Sequence, residues 1–561
     1  MESLKAFLNE LNKPLFLLNL IFVIFFILLL DRYPAMWFDE GYFSNPAYNL
    51  ANGNGLVFST YQNLWGFNVF VFDKGPIFYL LLAFVYKIFG FGLIQGRVLS
   101  VAFGIFGLNV FYFYAREFVS RKTSLFITIL FGTIPIYFIA AREIRMEIVY
   151  AVFDLISFYF LVRYFKTEKK FNRYIVYAAI FSALSLLTHP NGAINIVAFI
   201  VCLVFFNIKL TFKGILSKQL LLSIKESLKA ILIYAIIIGL IAFPYVVIII
   251  LNYNVYVAQS TNLLFFSTSS ILSNIFQQYE QFKTFFYSFG GTSLPLLLRV
   301  VIIIVVMGIV VLSLITLFIR SYDDPYIKIA FLYALISAVL LCIIINHKND
   351  VYITIYLPQL IIGLGLLIER APSRFSGLSG WYRQTLMLVD RIKSIFQKGL
   401  KKKITVPVII CLAFIGINVY SCGLAVYENR NCDPNLVRTD LLAFPVELKP
   451  TDRLLGDTRF WIPLHDYSYT DYGTFVYGMY FNNETFNSIL NEVKPTIILY
   501  DKNWRSGDFP YAASLNATFI AGMQNYIRYN CKLLTTINIT SQGTAQFQQF
   551  FPIEVYATSF R

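Results

Sequence analysis

Residues 14–30 read PLFLLNLIFVIFFILLL, an apolar run that decides the class of the fold. At 1.5 Å per residue, a helix of this length reaches about 26 Å, close to the roughly 30 Å hydrocarbon core of a bilayer. The run is followed by Asp31-Arg32-Tyr33-Pro34, which contains no small-residue cleavage site. The sequence therefore predicts a retained membrane span and not a signal peptide.

The rest of the chain has the same apolar character. Of its 561 residues, 58% are hydrophobic and 14% are charged, and the mean hydropathy is +0.65. An ordinary globular chain is about 45–50% apolar and about 25% charged. This composition excludes a soluble enzyme, a disordered regulator and a secreted disulfide scaffold, and it predicts a polytopic α-helical membrane protein.

Eleven apolar stretches are long enough to be predicted as membrane spans. They are residues 14–30, 97–115, 124–141, 148–165, 174–188, 191–207, 230–251, 300–319, 329–346, 351–368 and 404–422. A further apolar stretch, residues 75–90, contains Lys87 and would reach only about 24 Å as a helix. We predict that it lies in the membrane interface.

The formal charge of +15 follows the predicted topology. With residues 75–90 in the interface, the cytoplasmic loops contain 26 Lys and Arg residues, and the outer loops before residue 427 contain nine. If that stretch crossed the bilayer, 24 of the 26 would face outward, against the positive-inside rule. The charge therefore indicates a multi-pass cell-membrane protein with an inside N-terminus and no nucleic-acid partner. The basic stretch 369–403 is predicted to lie on anionic membrane lipid.

The chain is predicted to change character near residue 427. Shorter apolar runs and a nearly balanced charge indicate a soluble outer α/β domain over 427–561, after a membrane domain over 1–426 with an outer loop at 31–96. Strands are predicted at 453–456, 496–500, 533–539 and 553–557, and a helix at 484–493 behind an Asn483 cap. Cys432 and Cys531 bracket the outer domain and could form a disulfide bond.

Two polar motifs lie in the first outer loop. Asp39 and Glu40 stand among aromatic residues, where a carboxylate is either a solvated cap or a base whose pKa is raised by a partly dry site. Lys74 precedes Gly75-Pro76 at the start of the interfacial helix. Exposed N–H groups and an ammonium group together form a natural phosphate site, although a lysine that snorkels to the interface is the alternative.

Other polar residues border later spans at the same predicted face. Arg142, Arg145 and Glu147 occupy the turn before the fourth span, where the alternative is an N-terminal carboxylate with neighbouring ion pairs. The remaining candidates, in outer turns, are His189, His347, Lys348 and Tyr352. Because these groups gather at one face, the sequence predicts a single outward-facing site with cations for a lipid-borne phosphate. Asp154, two turns below Glu147, is the main deep charge.

These residues carry a family resemblance. The sequence resembles the GT-C membrane glycosyltransferases, in particular the bacterial aminoarabinose transferases and the protein O-mannosyltransferases. The resemblance lies in the order of four motifs along the chain: Asp39-Glu40, Lys74-Gly-Pro, Arg97-Val-Leu-Ser and Arg142 to Glu147. The match covers residues 37–191 well and 347–358 loosely. Glu147 stands where the family has Asp, and Gly75 where it has Pro.

The resemblance implies an inverting transfer of a sugar from a polyprenyl-phosphate carrier to a lipid, glycan or protein acceptor of the cell envelope on the outer face. It assigns the catalytic position to Asp39, the phosphate-binding position to Lys74 and a second acidic position to Glu147. With no cluster of His or Cys residues, no obligatory metal is predicted, although a divalent cation fits the chemistry. The alternatives are a lipid-linked-sugar transporter, an oligosaccharyltransferase-like enzyme, for which Asp471-Tyr472-Gly473 is weak support, and a receptor.

The predicted topology can be tested by labelling single cysteines in intact cells. Cysteines placed at Ser120 and Gly399 should be protected from an impermeant maleimide, because both positions are predicted to face the cytoplasm. A cysteine placed at Ser506, in the outer domain, should react. Labelling at Ser120 would overturn the interfacial placement of residues 75–90 and the single outer face with it.

Overall fold

Apolar α-helices make up most of the chain before residue 429. The computed structural model describes residues 13–61, 64–167, 173–207, 218–265, 273–274, 276–277, 296–344, 350–369, 406–506, 513–538 and 550–561. The helices described in this portion are α1 (Lys13–Ile27), α2 (Phe38–Ala51), α3 (Pro76–Phe89), α4 (Leu93–Ala115), α5 (Arg121–Thr133), α6 (Pro135–Ala140), α7 (Glu147–Lys166), α8 (Arg173–Leu186), α9 (Gly192–Asn207), α10 (Lys218–Leu251), α11 (Tyr253–Phe265), α12 (Leu296–Asp323), α13 (Pro325–Ile344), α14 (Leu357–Glu369) and α15 (Val406–Glu428).

Six of the described helices have stretches long and apolar enough to cross a membrane. These stretches are Leu93–Ala115, Glu147–Lys166, Lys225–Leu251, Ile302–Ser321, Pro325–Ile343 and Cys411–Glu428. Five shorter apolar helices accompany them, at Pro14–Ile27, Pro76–Phe89, Arg173–Leu186, Gly192–Phe205 and Leu357–Glu369. The helical membrane architecture is confirmed, whereas the number of eleven spans and their orientation stay predictions.

Two of the predicted spans are not continuous α-helices. The stretch 124–141 breaks at Ile134, whose ψ of 126° is extended, and Pro135 then opens α6. Proline lacks an N–H donor and disfavours helical geometry in the residue before it, so the break follows directly from the sequence. The stretch 351–368 begins as a 3-10 helix, Asp350–Ile355, before the 13-residue α14.

Helix α7 lies at the centre of the membrane portion. Its buried residues continue without interruption from Glu147 to Phe158, and it packs against α4, α8 and α9. Deep in the bundle, the hydroxyls of Ser157 and Ser182 lie 2.7 Å apart, and the Tyr234 hydroxyl donates to Ser182 over 2.6 Å. These bonds tie α7 to α8 and α10. This deeply buried helix therefore begins with Glu147, one of the predicted site residues.

The C-terminal portion contains a five-stranded mixed sheet. Its strands are β1 (Arg453–Gly456), β2 (Ser468–Asp471), β3 (Ile497–Tyr500), β4 (Cys531–Ile537) and β5 (Ile553–Thr558), in the order β2-β1-β3-β5-β4. β2, β1 and β3 are parallel, and β5 pairs antiparallel with both β3 and β4. The described helices of this portion are α16 (Leu436–Leu442), α17 (Gly473–Phe481), α18 (Phe486–Val493), α19 (Lys502–Ser506) and α20 (Ala513–Asn530). The predicted α/β character of this portion is confirmed.

Three details of the outer domain differ from the sequence-based predictions. β2 was not predicted, because a strand of four largely polar residues has no apolar alternation. The cap of α18 is Thr485, whose hydroxyl accepts from the Ser488 N–H over 3.1 Å, and not Asn483. Cys432 and Cys531 are free thiols, so the disulfide bond considered for this domain is not formed.

Arg142 was predicted to bind phosphate, and the structure gives it a different role. Its guanidinium group is fully buried and donates to the backbone carbonyls of Phe26, Leu28, Leu29 and Tyr33 over 2.7–3.0 Å. These carbonyls belong to the last turn of α1 and the segment after it, where helix geometry leaves acceptors without intrahelical donors. Arg142 therefore caps α1 and is not available to a ligand.

Loss of this cap should destabilise the membrane portion. In Arg142→Gln, several buried carbonyls lose their donor, at a cost of about 1–3 kcal/mol for each group left unsatisfied. We expect a clearly lower midpoint of thermal unfolding and a lower yield of purified protein, with Arg142→Lys between the variant and the wild type. Arg163→Gln is the matched control, because Arg163 is 38% exposed and donates to the Glu117 carboxylate and not to the backbone of α1. An equal loss of stability in both variants would contradict the capping role.

Candidate active site

Asp39 and Glu40, the adjacent acids at the start of α2, have very different environments. Glu40 is fully buried, and its carboxylate accepts from the Arg97 guanidinium over 2.8 and 2.6 Å and from the Ile144 N–H over 3.0 Å. It also accepts over 3.0 Å from the N–H of Trp37, the residue immediately before α2. Glu40 was predicted as a catalytic residue. Because its oxygens are already occupied and no solvent reaches it, we assign it to the scaffold.

Arg145 bridges the carboxylates of Asp39 and Glu147. Arg145 Nη2 lies 3.1 Å from Asp39 Oδ2 and 2.5 Å from Glu147 Oε1, and Arg145 Nε donates to Glu147 Oε2 over 3.2 Å. The Asp39 side chain is 27% exposed, against 3% for Glu147. Arg145 and Glu147 are thus brought together with Asp39 as predicted. Among these three residues, Asp39 is the one that an incoming molecule can reach.

The neighbours of Asp39 have opposing effects on its pKa. Burial raises the pKa, and the negative charges of Glu147 and Glu40 raise it further. The positive charges of Arg145 and Lys74 lower it, and the net direction is upward. A carboxylate with a raised pKa is a stronger base than an exposed aspartate.

Lys74 is held at the N-terminus of α3 by close backbone packing. A Cβ atom on Gly75 would lie 1.9 Å from the carbonyl oxygen of Leu187, so a side chain does not fit there. The Ile77 N–H donates to this same oxygen over 3.0 Å. The charge of Lys74 acts on the pKa values of Asp39 and His189, which places the ammonium group in the same cluster. Within the described ranges, no carboxylate lies within 4.0 Å of this ammonium group.

Asp73 is a buried member of the cluster that was not predicted. Its carboxylate accepts from the Tyr42 hydroxyl over 2.9 Å and from the Tyr79 hydroxyl over 3.1 Å. Burial raises its pKa, whereas Lys74 and the two tyrosines lower it. Asp73 fixes the backbone beside Lys74, and its position immediately before the lysine is the signal that could have identified it.

His189 is part of the site but is not a cation. It is buried, its ring stacks on Tyr150 at 5.1 Å, and its Nδ1 accepts from the Asn191 N–H over 3.0 Å. Burial lowers its pKa well below the usual value, and Lys74 and Arg145 lower it further, so the ring is neutral at pH 7. Tyr352 lies 6.0 Å from this ring. His347 and Lys348 lie outside the described residues.

Gln259 on α11 also holds the segment that leads to Lys74. Its fully buried amide accepts from the Phe72 N–H over 2.7 Å and donates to the carbonyls of Phe70 and Trp65 over 2.7 and 3.3 Å. These bonds satisfy both ends of the amide and fix the backbone two residues before Lys74. Gln259 stands among other polar residues of α11, including Ser260, Thr261 and Asn262, so no pattern singled it out for this contact.

Asp154 does not join the cluster. It is buried two turns below Glu147, in the interior of the bundle. In the described part of the chain, no group of three or more His, Cys, Asp or Glu side chains is placed to hold a metal ion. The site is therefore a small cluster formed by Asp39, Arg145, Glu147 and Lys74, with the neutral His189 beside it.

Comparisons with known proteins show what the chain is similar to. The family model described as dolichyl-phosphate-mannose-protein mannosyltransferase matches residues 73–225. An uncharacterized protein of Aquifex aeolicus (strain VF5) is 28% identical over 180 residues, which are 32% of this chain and 35% of that relative's length.

Solved structures resemble the chain over nearly its whole length. The structures of ArnT from Cupriavidus metallidurans, in the apo state and bound to undecaprenyl phosphate, have TM-scores of 0.58 and 0.57 and identities of 14% and 15%. Both alignments cover 96% of this chain and 97% of ArnT. The Archaeoglobus fulgidus oligosaccharyltransferase in complex with Zn and sulfate has a TM-score of 0.53 at 11% identity, over 92% of this chain and 71% of that chain. The resemblance predicted from the sequence is confirmed, and the protein has the fold of the GT-C membrane glycosyltransferases.

Proposed function

We propose that the protein is an inverting glycosyltransferase that moves a sugar from a polyprenyl-phosphate carrier to an acceptor hydroxyl or phosphate at the outer face of the membrane. The observation that carries the proposal is the pairing of a partly exposed Asp39 with the cations Arg145 and Lys74. The ArnT structure bound to undecaprenyl phosphate and the mannosyltransferase family model support the class of donor. The acceptor is a lipid, glycan or protein of the cell envelope.

The residues fit a single displacement at the anomeric carbon. An acceptor hydroxyl attacks this carbon while Asp39 takes its proton, and a new bond joins the acceptor oxygen to the sugar. The bond between the carbon and the phosphate oxygen breaks with its electron pair on oxygen. The polyprenyl phosphate leaves with one more negative charge, which Lys74 stabilises. Attack from the face opposite to the leaving group inverts the anomeric configuration.

Arg145 and Glu147 support this step without forming bonds to the reacting atoms. Arg145 was predicted to bind phosphate, but its guanidinium group is already shared between Asp39 and Glu147. We propose that it keeps Asp39 ionised and oriented, and that Glu147 holds Arg145 in place. The proposed phosphate-binding groups remain Lys74, His347 and Lys348, with Tyr352 close to the last two in sequence. No obligatory metal is proposed.

Substitutions at the site should separate proton transfer from carrier binding. In purified, folded Asp39→Asn the base is lost, so turnover with a polyprenyl-phosphate sugar should fall by about 10² to 10⁴, while binding of the carrier persists. Lys74→Ala should weaken both binding and turnover, because a phosphate contact is lost. The wild type and both variants are assayed with and without a metal chelator. The chelator should not abolish the activity of the wild type, because no obligatory metal is proposed.

Matched controls are available for both variants. Asp31 lies in the same outer loop and is 31% exposed, and Lys87 lies in the last turn of α3, so Asp31→Asn and Lys87→Ala should keep activity. Full activity in Asp39→Asn would remove the proposed base. Unchanged carrier affinity in Lys74→Ala would remove the phosphate site. A transporter would be favoured if Asp39→Asn still moved the sugar-loaded carrier across the membrane of vesicles but transferred no sugar to an acceptor.

The pH profile should reveal the charges around Asp39. Because Asp39 must be ionised to act as a base, its pKa sets the acidic limb of kcat/KM. Glu147→Gln removes a negative neighbour that raises this pKa, so the limb should move to lower pH. Arg145→Gln removes a positive neighbour that lowers it, so the limb should move to higher pH. Shifts of both variants in the same direction would contradict the assignment of the limb to Asp39.

A further inference from the structure

The Asp471-Tyr472-Gly473 motif of the outer domain is buried against the first outer loop. Asp471 ends β2 and is 1% exposed. Its carboxylate accepts from the Thr458 hydroxyl and, over 2.6 Å, from the Gly473 N–H. Its own N–H donates to the carbonyl oxygen of Thr60 over 2.9 Å. Asp471 therefore links the end of β2, the turn after β1 and the outer loop of the membrane portion.

The turn that Asp471 holds rests directly on the helix of Asp39. Thr458 is fully buried and begins a short 3-10 turn after β1. A Cβ atom placed on Gly41 would lie 2.2 Å from the Thr458 carbonyl oxygen, so the two backbones are in close contact. Gly41 is two residues after Asp39, in the first turn of α2. A shift of this turn by a few tenths of an ångström would be transmitted to that first turn.

The contact continues along α2 away from the site. The Tyr48 ring lies 5.7 Å from Trp461 and 5.4 Å from His465, in edge arrangements. On the other side of the first turn, Glu40 is fixed by Arg97. The helix is thus held from the membrane portion by an ion pair and from the outer domain by the turn at Thr458. Asp39 is located between these two supports.

We propose that Asp471 and Thr458 are positioning residues for the transfer reaction: their hydrogen bond holds the outer-domain turn against Gly41 and so fixes the direction of the Asp39 carboxylate. This inference rests on the proposed function of Asp39 as the base. It assigns a role to the Asp471 motif that differs from acceptor binding, because the Asp471 carboxylate is enclosed and bonded within the chain. The outer domain then contributes to the rate without touching the reacting atoms.

A pair of identical substitutions tests the proposal. Thr458→Val removes the hydroxyl that donates to Asp471 and keeps the shape of the side chain. Thr496→Val is the matched control, because the buried Thr496 hydroxyl donates to Asp452 over 2.8 Å in the same domain, away from α2. Both variants should lose similar thermal stability. Only Thr458→Val should lower kcat, by about tenfold to 10²-fold, the cost of a misplaced catalytic group.

Two further variants separate positioning from misfolding. Thr458→Ser keeps the hydroxyl and should restore kcat. Gly41→Ala disturbs the same contact from the helix side and should lower kcat as Thr458→Val does. In both low-activity variants, KM for the carrier should change less than twofold, because Lys74 is held by Leu187 and Gln259 instead. Equal kcat values in Thr458→Val and Thr496→Val, or failure of Thr458→Ser to restore activity, would overturn the proposal.

Hydrogen exchange provides a readout that does not depend on activity. The amides of residues 41–45 in the full-length protein should exchange faster in Thr458→Val than in the wild type, and at the wild-type rate in Thr496→Val. If exchange changes as expected but the wild type transfers no sugar from a polyprenyl phosphate, the proposed function fails and the contact stands. If transfer is observed and neither exchange nor kcat differs between the two variants, the positioning role fails and the proposed function stands.

Discussion

A fully buried ion pair between Arg97 and Glu40 is the interaction on which the outer site depends. Moving two charges out of water is costly, and such a pair is tolerated only when every polar atom is satisfied. Here Glu40 also accepts from two backbone N–H groups, and Arg97 Nη1 donates to the Leu30 carbonyl over 2.6 Å. The pair therefore joins the end of α1, the start of α2, helix α4 and the turn before α7.

The pair also explains why two adjacent acids have separate roles. Consecutive residues of a helix point about 100° apart, so a helix that directs Glu40 into the bundle must direct Asp39 elsewhere. Asp39 meets Arg145, which also pairs with Glu147, and with Lys74 included the four groups carry no net charge when all are ionised. This balance allows charged groups to lie together in a poorly solvated place without a net charge there.

The sequence predicted which segments contribute to the site but not the role of each residue within it. The order of the acidic and basic residues predicted the fold and the outer cluster, and Pro135 could have predicted the break between α5 and α6. The role of Glu40 depends on Arg97, 57 residues away, and that of Arg142 depends on backbone carbonyls more than 100 residues away. Residue type and spacing contain no information about such partners. The contact of Gln259 with the segment before Lys74 could not be predicted for the same reason.

The remaining determinant of the site is the outer domain, because the membrane portion covers only one side of α2. Parallel strands β1 and β2 end at the same edge of the sheet. Asp471, the last residue of β2, and the turn from Thr458 onward, after β1, meet the outer loop there. Gly41 is the residue that permits this approach, since any side chain would push the two backbones apart. The Arg97–Glu40 pair and the hydrogen bonds of Tyr42 to Asp73 and of Ser44 to Tyr86 hold α2 from the membrane portion. The Thr458 turn packs against its first turn from the outer domain. The orientation of Asp39 is thus set jointly by a buried charge pair on one side and by close backbone packing on the other.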